Sequence, residues 1–454
     1  MKGRKKKNMK IASKWFFFLI YLAICILQVF FVMDLSYSET SIEIFPFNYR
    51  TLNNYPWVFI LGYILLIIVI QYLLFMFLRW KMFQLEGILE IYPKNTIEEP
   101  FNTKKLYNYE QITNWVLELA YKSNISIDYI YVVPTNIPNA FSFSLPLLGS
   151  IIVINRSILD IANEDEIRAV LAHEIGHVKK RDSLIKLIAE SPGHLIQIIF
   201  LYLYALIILS IGNALLVKWN LILSFYRILL LIFFFFFVKV IGAITKIFIQ
   251  KAYRETEFLS DYQAADLVGP ESTINMLIKI GNRLEIISSL YKEFLWLAKK
   301  NDPLLKKIPE HTLSELLNFI PCSLELKEED ISKIAPYIYL RTKLMKFSEI
   351  YHLELTKEEI ESLSLNSANT LVQERLHDTG IDYERVKKLI NWKIADLDNS
   401  GNLDKEEITN LVKILRNQPE KMLFKSDEKT LSAFEDHPDI RDRILFIYDV
   451  FFSN

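Results

Sequence analysis

"VLAHEIGHVKKRD", Val170–Asp182, sets two histidines four residues apart, with a glutamate directly after the first. Only seven histidines occur in 454 residues, so this pairing stands out against the background. Just upstream, Asn163 followed three residues later by Glu166 forms a capping-box pattern. It predicts a helix running from Glu164 through both histidines towards Glu190, where Ser191-Pro192-Gly193 stops it. Residues four apart on a helix share a face, so His173 and His177 can offer their rings to one metal ion. Glu174, offset by one position, reaches the open side of that ion without being a ligand. Zinc-dependent hydrolysis uses this arrangement. Nitrogen ligands hold the ion, one position stays open to water, and a neighbouring carboxylate takes the water's proton.

Two histidines do not complete such a site. "YRETEFLSDYQAAD", Tyr253–Asp266, supplies Glu257 and Asp261, again four apart on a predicted helix. Glu257 can complete a set of two histidines and one glutamate. Asp261 can accept a hydrogen bond from the other ring nitrogen of a ligand histidine and fix its tautomer. Glu255 competes for the third position on spacing alone, without a carboxylate four residues on.

The composition is 52% hydrophobic, and the apolar residues are clustered. Residues 15–33, 57–78, 195–217 and 221–248 are each close to the ~20 residues that cross a hydrocarbon core as a helix. Four transmembrane helices are expected. The first run is longer than a signal-peptide core and lacks a small-residue cleavage site, so it reads as an uncleaved anchor. Residues 1–14 carry seven basic side chains and no acid, and further basic residues flank the other spans on the same side. This bias puts the N-terminus and everything outside the two hairpins in the cytoplasm of a plasma membrane. Cys25 and Cys322 are not expected to pair. The net charge of −1 argues against a nucleic-acid partner.

The chain resembles the integral-membrane zinc metallopeptidases that include the heat-shock protease HtpX and the CAAX prenyl endopeptidases. That family pairs H-E-x-x-H with a downstream E-x-x-x-D. The likeness rests on "NAFSFS" (Asn139–Ser144), "AVLAHEIGHVKKRD" (Ala169–Asp182), "RETEFLSD" (Arg254–Asp261) and "HPDIRDRI" (His437–Ile444), all in the family's order. The resemblance implies zinc on His173, His177 and Glu257, with Glu174 as general base and Asp261 behind a ligand. It implies that His437 and Arg443 stabilise the oxyanion, and that Asn139, Ala140 and Phe141 begin an edge strand that pairs with substrate backbone. It also favours a bacterial inner membrane. Where the family's last motif has a second proline, this chain has Asp439.

A second metal motif is "DLDNSGNLDKEE", Asp396–Glu407. Asp396, Asp398, Ser400, Asp404 and Glu407 occupy the oxygen-ligand positions of an EF-hand calcium loop. Asn402 would contribute its backbone carbonyl, Gly401 takes the turn and Leu403 is the inward apolar residue. Helices are expected on both sides, Tyr383–Ala395 and Lys405–Arg416, and residues 384–416 are read as the EF-hand-like region.

The expected fold is mainly α and integral to the membrane: four transmembrane helices and a cytoplasmic α+β zincin-type domain. Residues 1–14 are a basic tail, 79–190 the first half of the protease domain and 249–269 the helix with the third ligand. Residues 270–430 are a helical insert and 431–454 a C-terminal protease segment. Short strands are expected at Tyr129–Val133 and Ile151–Ile154, and a helix at Tyr109–Asn124. The functional expectation is a zinc endopeptidase acting on membrane-associated or misfolded polypeptides, modulated by calcium. Its competitors are a signal-transducing metalloprotease and a non-catalytic, calcium-responsive scaffold.

Overall fold

The computed structural model describes residues 2–39, 56–84, 88–93, 107–145, 148–186, 204–205, 207–209, 211–216, 219–320, 328–353, 355–378, 389–424 and 438–452. It is mostly helical around one small sheet. In chain order the elements are α1 (Lys2–Glu39), α2 (Pro56–Gln84), β1 (Leu89–Tyr92), α3 (Tyr109–Lys122), β2 (Tyr129–Val133), β3 (Ala140–Leu145) and β4 (Gly149–Asn155). Then follow α4 (Arg156–Ile161), α5 (Glu164–Lys179), α6 (Leu221–Leu267), α7 (Pro270–Asn301), α8 (Glu310–Leu317), α9 (Glu328–Tyr351), α10 (Lys357–Asp378), α11 (Lys405–Asn417) and α12 (Ile440–Phe451).

The strand order is β1-β2-β4-β3, with β2 and β4 parallel and the other pairs antiparallel. β3 therefore lies on an edge. Alternation of side chains in the strands splits the sheet's two faces. Ile130, Val132, Ile152 and Ile154 turn towards a core shared with Ile112, Val116 and Leu119 of α3 and Ile167, Val170 and Leu171 of α5. Tyr131, Ile151 and Val153 turn the other way and pack with Phe75 of α2. The main core also takes in Ile408, Leu411 and Leu415 of α11 and Ile444 and Ile447 of α12, so late residues complete what early ones begin. A second cluster joins the far half of α7, through Leu290 and Phe294, to Leu316 of α8 and Ile338 of α9.

The helix bearing the two histidines begins as its capping box dictates. Asn163 accepts from Glu166 N, and the Glu166 side chain accepts from Asn163 N. It ends earlier than the sequence suggests, at Lys179. Arg181 takes a left-handed φ of 54°, and a new helical segment starts at Asp182.

Four spans were expected, but among the described residues one helix, α6, is long and apolar enough to cross a membrane. The runs 15–33 and 57–78 fall within α1 and α2, where many side chains lie outside the described residues, and most of 195–217 does too. α6 also merges two elements expected separately, the span 221–248 and the helix 249–269. Its 47 residues extend about 70 Å at about 1.5 Å per residue. That is roughly twice the ~30 Å hydrocarbon thickness, so one rigid rod carries both the apolar run and Glu257.

Residues 1–14 are not a separate tail either, since α1 is helical from Lys2 and packs on α6 and α12. α7 passes close to the last helix at Gly281, where an added Cβ would overlap the Phe424 ring and lie 2.7 Å from Ile440 Cδ1. Gly281→Ala is expected to cost about 1–3 kcal/mol through overpacking, read as a lower thermal midpoint of the detergent-solubilised chain.

Candidate metal centre

His173 and His177 point their Nε2 atoms at one another across 3.1 Å. Glu257 Oε2 lies 3.5 Å from His173 Nε2, and Glu257 Oε1 lies 3.5 Å from His177 Nε2. Glu257 reaches them because α5 and α6 approach closely at Gly176. A Cβ there would sit 3.2 Å from both Ser260 Cα and Gln263 Cβ. The glycine of HEIGH is thus the contact point that brings the third residue in.

Each histidine is braced from behind. Asp261, fully buried, accepts from His173 Nδ1 at 3.0 Å. Arg443 of α12 in turn forks Asp261, with Nε to Oδ2 at 2.7 Å and Nη2 to Oδ1 at 2.6 Å. Burial would raise the Asp261 pKa, but Arg443 and His173 outweigh it and hold it down at about 2. His177 Nδ1 meets Asp182 Oδ2 at 3.0 Å, and Lys14 Nζ of α1 donates to Asp182 Oδ1 at 2.7 Å. Burial again opposes ionisation of Asp182, and His177 and Lys14 keep its pKa below the usual carboxylate value.

These partners fit a cation. With both Nδ1–H groups donating backwards, both Nε2 atoms are acceptors, and they face two carboxylate oxygens. Acceptors that converge without a donor repel unless a positive charge lies among them. Without a metal ion the same field acts on the His173 ring itself: burial disfavours its charged form, yet hydrogen bonds to Asp261 and Glu257 lift its pKa to about 9. His173, His177 and Glu257 therefore form a group that can hold a metal ion. Glu255 does not join it, because Lys10 at 3.0 Å and Ser13 at 3.3 Å engage its carboxylate.

The centre opens into a cleft lined by His173, Glu174, Arg443, Asn139 and Ala140, with an apolar wall of Ile158, Val170, Met276, Leu277, Ile280 and Leu284. Ser142 of β3 donates to the backbone oxygen of Glu174 at 3.0 Å, which ties the edge strand to the metal helix. Asn139 and Ala140 thus border the cleft, while Phe141 on the same edge is partly exposed. His437 lies outside the described residues. The fork to Asp261 places Arg443 behind His173. Asp439, in place of the family's proline, caps α12 by accepting from Arg441 N at 2.9 Å.

The loop Asp396–Glu407 gathers Asp396, Asp398 and Glu407. Asp396 accepts from Ser400 N and Gly401 N, and Glu407 from Leu397 N and Asp404 N. Asp404 caps α11. The exit helix is present; of the expected entering helix Tyr383–Ala395, residues 383–388 lie outside the described residues and 389–395 are not α-helical. Among its described residues Leu389 bridges Met422, and 392–394 form a single 3-10 turn. Ile390 N donates to Met422 O at 2.8 Å, a pairing that an α-helix here would break. Asn402 borders the loop's cleft face, and Leu403 is clamped by Asn275 of α7 through its own N–H and C=O.

Asp182 and Lys14 were not singled out in the sequence. Asp182 sits in the motif's own tail, five residues beyond His177, where a continuous helix would carry it off the histidine face. The break at Arg181 turns it back. Nothing local marks Lys14, one basic residue among many.

The pattern of Peptidase family M48 matches residues 107–448, well over half of the chain. Among similar proteins, the "Protease HtpX homolog" of Pyrococcus furiosus is 28% identical over 170 residues, 36% of this chain and 54% of the relative. Those of Thermoplasma acidophilum and Persephonella marina are 39% identical over 74 residues and 42% over 84. They align over 16% and 18% of this chain and 23% and 29% of the relatives, so this chain spans at most about half of these proteins. No solved structure matches.

Asp261→Asn is expected to weaken metal binding about 10–100-fold by unsettling the ring of His173, measured by competition with a chromophoric chelator.

Proposed function

The chain belongs to Peptidase family M48, and we propose that it is a zinc-dependent endopeptidase of the membrane. The observation that carries this reading is the convergence of His173, His177 and Glu257, with His173 and the adjacent Glu174 lining an open cleft. Zinc held by those three residues would polarise a scissile carbonyl and lower the pKa of an attacking water. Glu174 takes the water's proton and returns it to the leaving amine, so no covalent enzyme intermediate forms. Edge strand β3 could pair with an extended peptide, beginning at Asn139–Phe141. The apolar wall formed by Ile158, Val170 and α7 suits an apolar substrate side chain. Asp261 and Asp182 hold the rings and do not touch substrate. Arg443 acts through Asp261, and oxyanion stabilisation falls to His437 by family resemblance.

In this reading the substrates are membrane-associated or misfolded polypeptides, and the protein crosses the plasma membrane four times with its cleft on the cytoplasmic side. The apolar runs 15–33, 57–78, 195–217 and 221–248 and the basic residues beside them support that topology. The continuity of α6 supports a cleft close to the bilayer. Calcium at Asp396–Glu407 would act on the cleft through Asn275, whose helix α7 also carries Met276 and Leu277 of the apolar wall.

Glu174→Gln is expected to retain zinc while losing at least 100-fold in cleavage of an unfolded substrate, in line with removal of a general base. Substantial residual cleavage with zinc in place would refute the mechanism. For calcium, the wild type should respond to a calcium titration and the double variant Asp396→Ala/Glu407→Ala should not. Identical curves would remove calcium from the account.

A further inference from the structure

We propose that Lys14, on the N-terminal helix, is a positioning residue for His177, so that the first helix of the chain forms part of the metal centre. The inference rests on the metal reading above. Lys14 is only 5% exposed, although it belongs to a basic cluster that looks like a solvated tail. Its ammonium lies 2.7 Å from Asp182 Oδ1, and the other oxygen of that carboxylate lies 3.0 Å from His177 Nδ1. The order cation, carboxylate, imidazole repeats the one on the opposite side of the site, where Arg443 holds Asp261 and Asp261 holds His173. A carboxylate behind a ligand ring fixes the tautomer and raises the basicity of the coordinating nitrogen. A cation behind the carboxylate keeps it ionised and in place.

A weaker alternative waits beside it. Ser260 Oγ lies 3.2 Å from the same His177 Nδ1 and receives Lys180 Nζ at 3.3 Å. If Asp182 loosens, the ring can turn to this neutral hydroxyl, a poorer acceptor for its N–H, and Nε2 becomes a weaker donor to the metal.

Other contacts seat α1 independently of Lys14. Lys10 pairs with Glu255 at 3.0 Å and lies 3.8 Å from the Phe258 ring centroid. Lys6 reaches Asp449 at 2.7 Å, and Lys7 lies 4.1 Å from the Tyr262 ring centroid. Removing the Lys14 charge should therefore leave the helix docked, and Lys6, whose ion pair with Asp449 involves no residue of the metal group, offers a control at the same interface.

The test uses the full chain in detergent, with zinc affinity from chelator competition and the visible absorption of the cobalt-substituted protein. Lys14→Met should weaken zinc about 10–100-fold and shift the cobalt bands, while Lys14→Arg restores both to within a few-fold of wild type. Lys6→Met should leave affinity and spectrum unchanged. Wild-type affinity and bands in Lys14→Met would overturn the proposal, and so would an equal loss in Lys6→Met, which would mark a general docking effect. A wild-type chain that takes up neither metal would instead overturn the zinc reading beneath it.

Discussion

Two carboxylates buried behind two histidines are the constraint on which the rest of the structure depends. An ionised carboxylate taken out of water costs several kcal/mol unless a cation and hydrogen bonds compensate it. Asp261 is fully buried and the Asp182 side chain is 12% exposed, yet the groups beside them hold both pKa values below the usual carboxylate range. Arg443 near the C-terminus and Lys14 near the N-terminus provide the compensation. The charge balance of the centre therefore dictates where the first and last described helices must pack. Asp439 begins α12 at the register that delivers Arg443, which accounts for an acidic residue where the family has proline.

A second constraint is distance. Glu257 belongs to a helix of 47 residues that cannot bend around an obstacle, so its approach to α5 is set by the thinnest contact between them. Gly176 is that contact. A side chain there would hold the two helices apart, and the carboxylate would fall short of the rings. Because the same rod carries the apolar run beginning at Leu221, its placement in a bilayer and the placement of the third ligand are one mechanical variable.

What could be read from the sequence follows from the range of the interactions. The capping box at Asn163, the β-branched strands and the pairing of His173 with His177 are local patterns, and each appears in the structure where its spacing puts it. Glu257 was legible too, though Glu255 competed until the structure gave that carboxylate to Lys10 and Ser13. The helix ending at Lys179 was not legible, because the apolar pattern runs on past a left-handed residue that is not glycine. The last part of the expected entering helix of the calcium-type loop, residues 389–395, is not α-helical. There a backbone pairing between Ile390 and Met422 overrides local helical spacing. Lys14 carried no signal at all, since its partner is 168 positions away and it ends a segment with six other basic residues.

These long separations bear on when the chain becomes competent. His173 and His177 are in place as soon as α5 forms, but their rings stay free to turn until Asp261 and Asp182 are seated. Asp261 is seated by a residue 182 positions later and Asp182 by one 168 positions earlier. Metal affinity therefore rises with completion of the tertiary fold, because coordination and folding share the same free energy. Partly folded forms of the chain therefore lack the ring orientation on which a tight metal site depends.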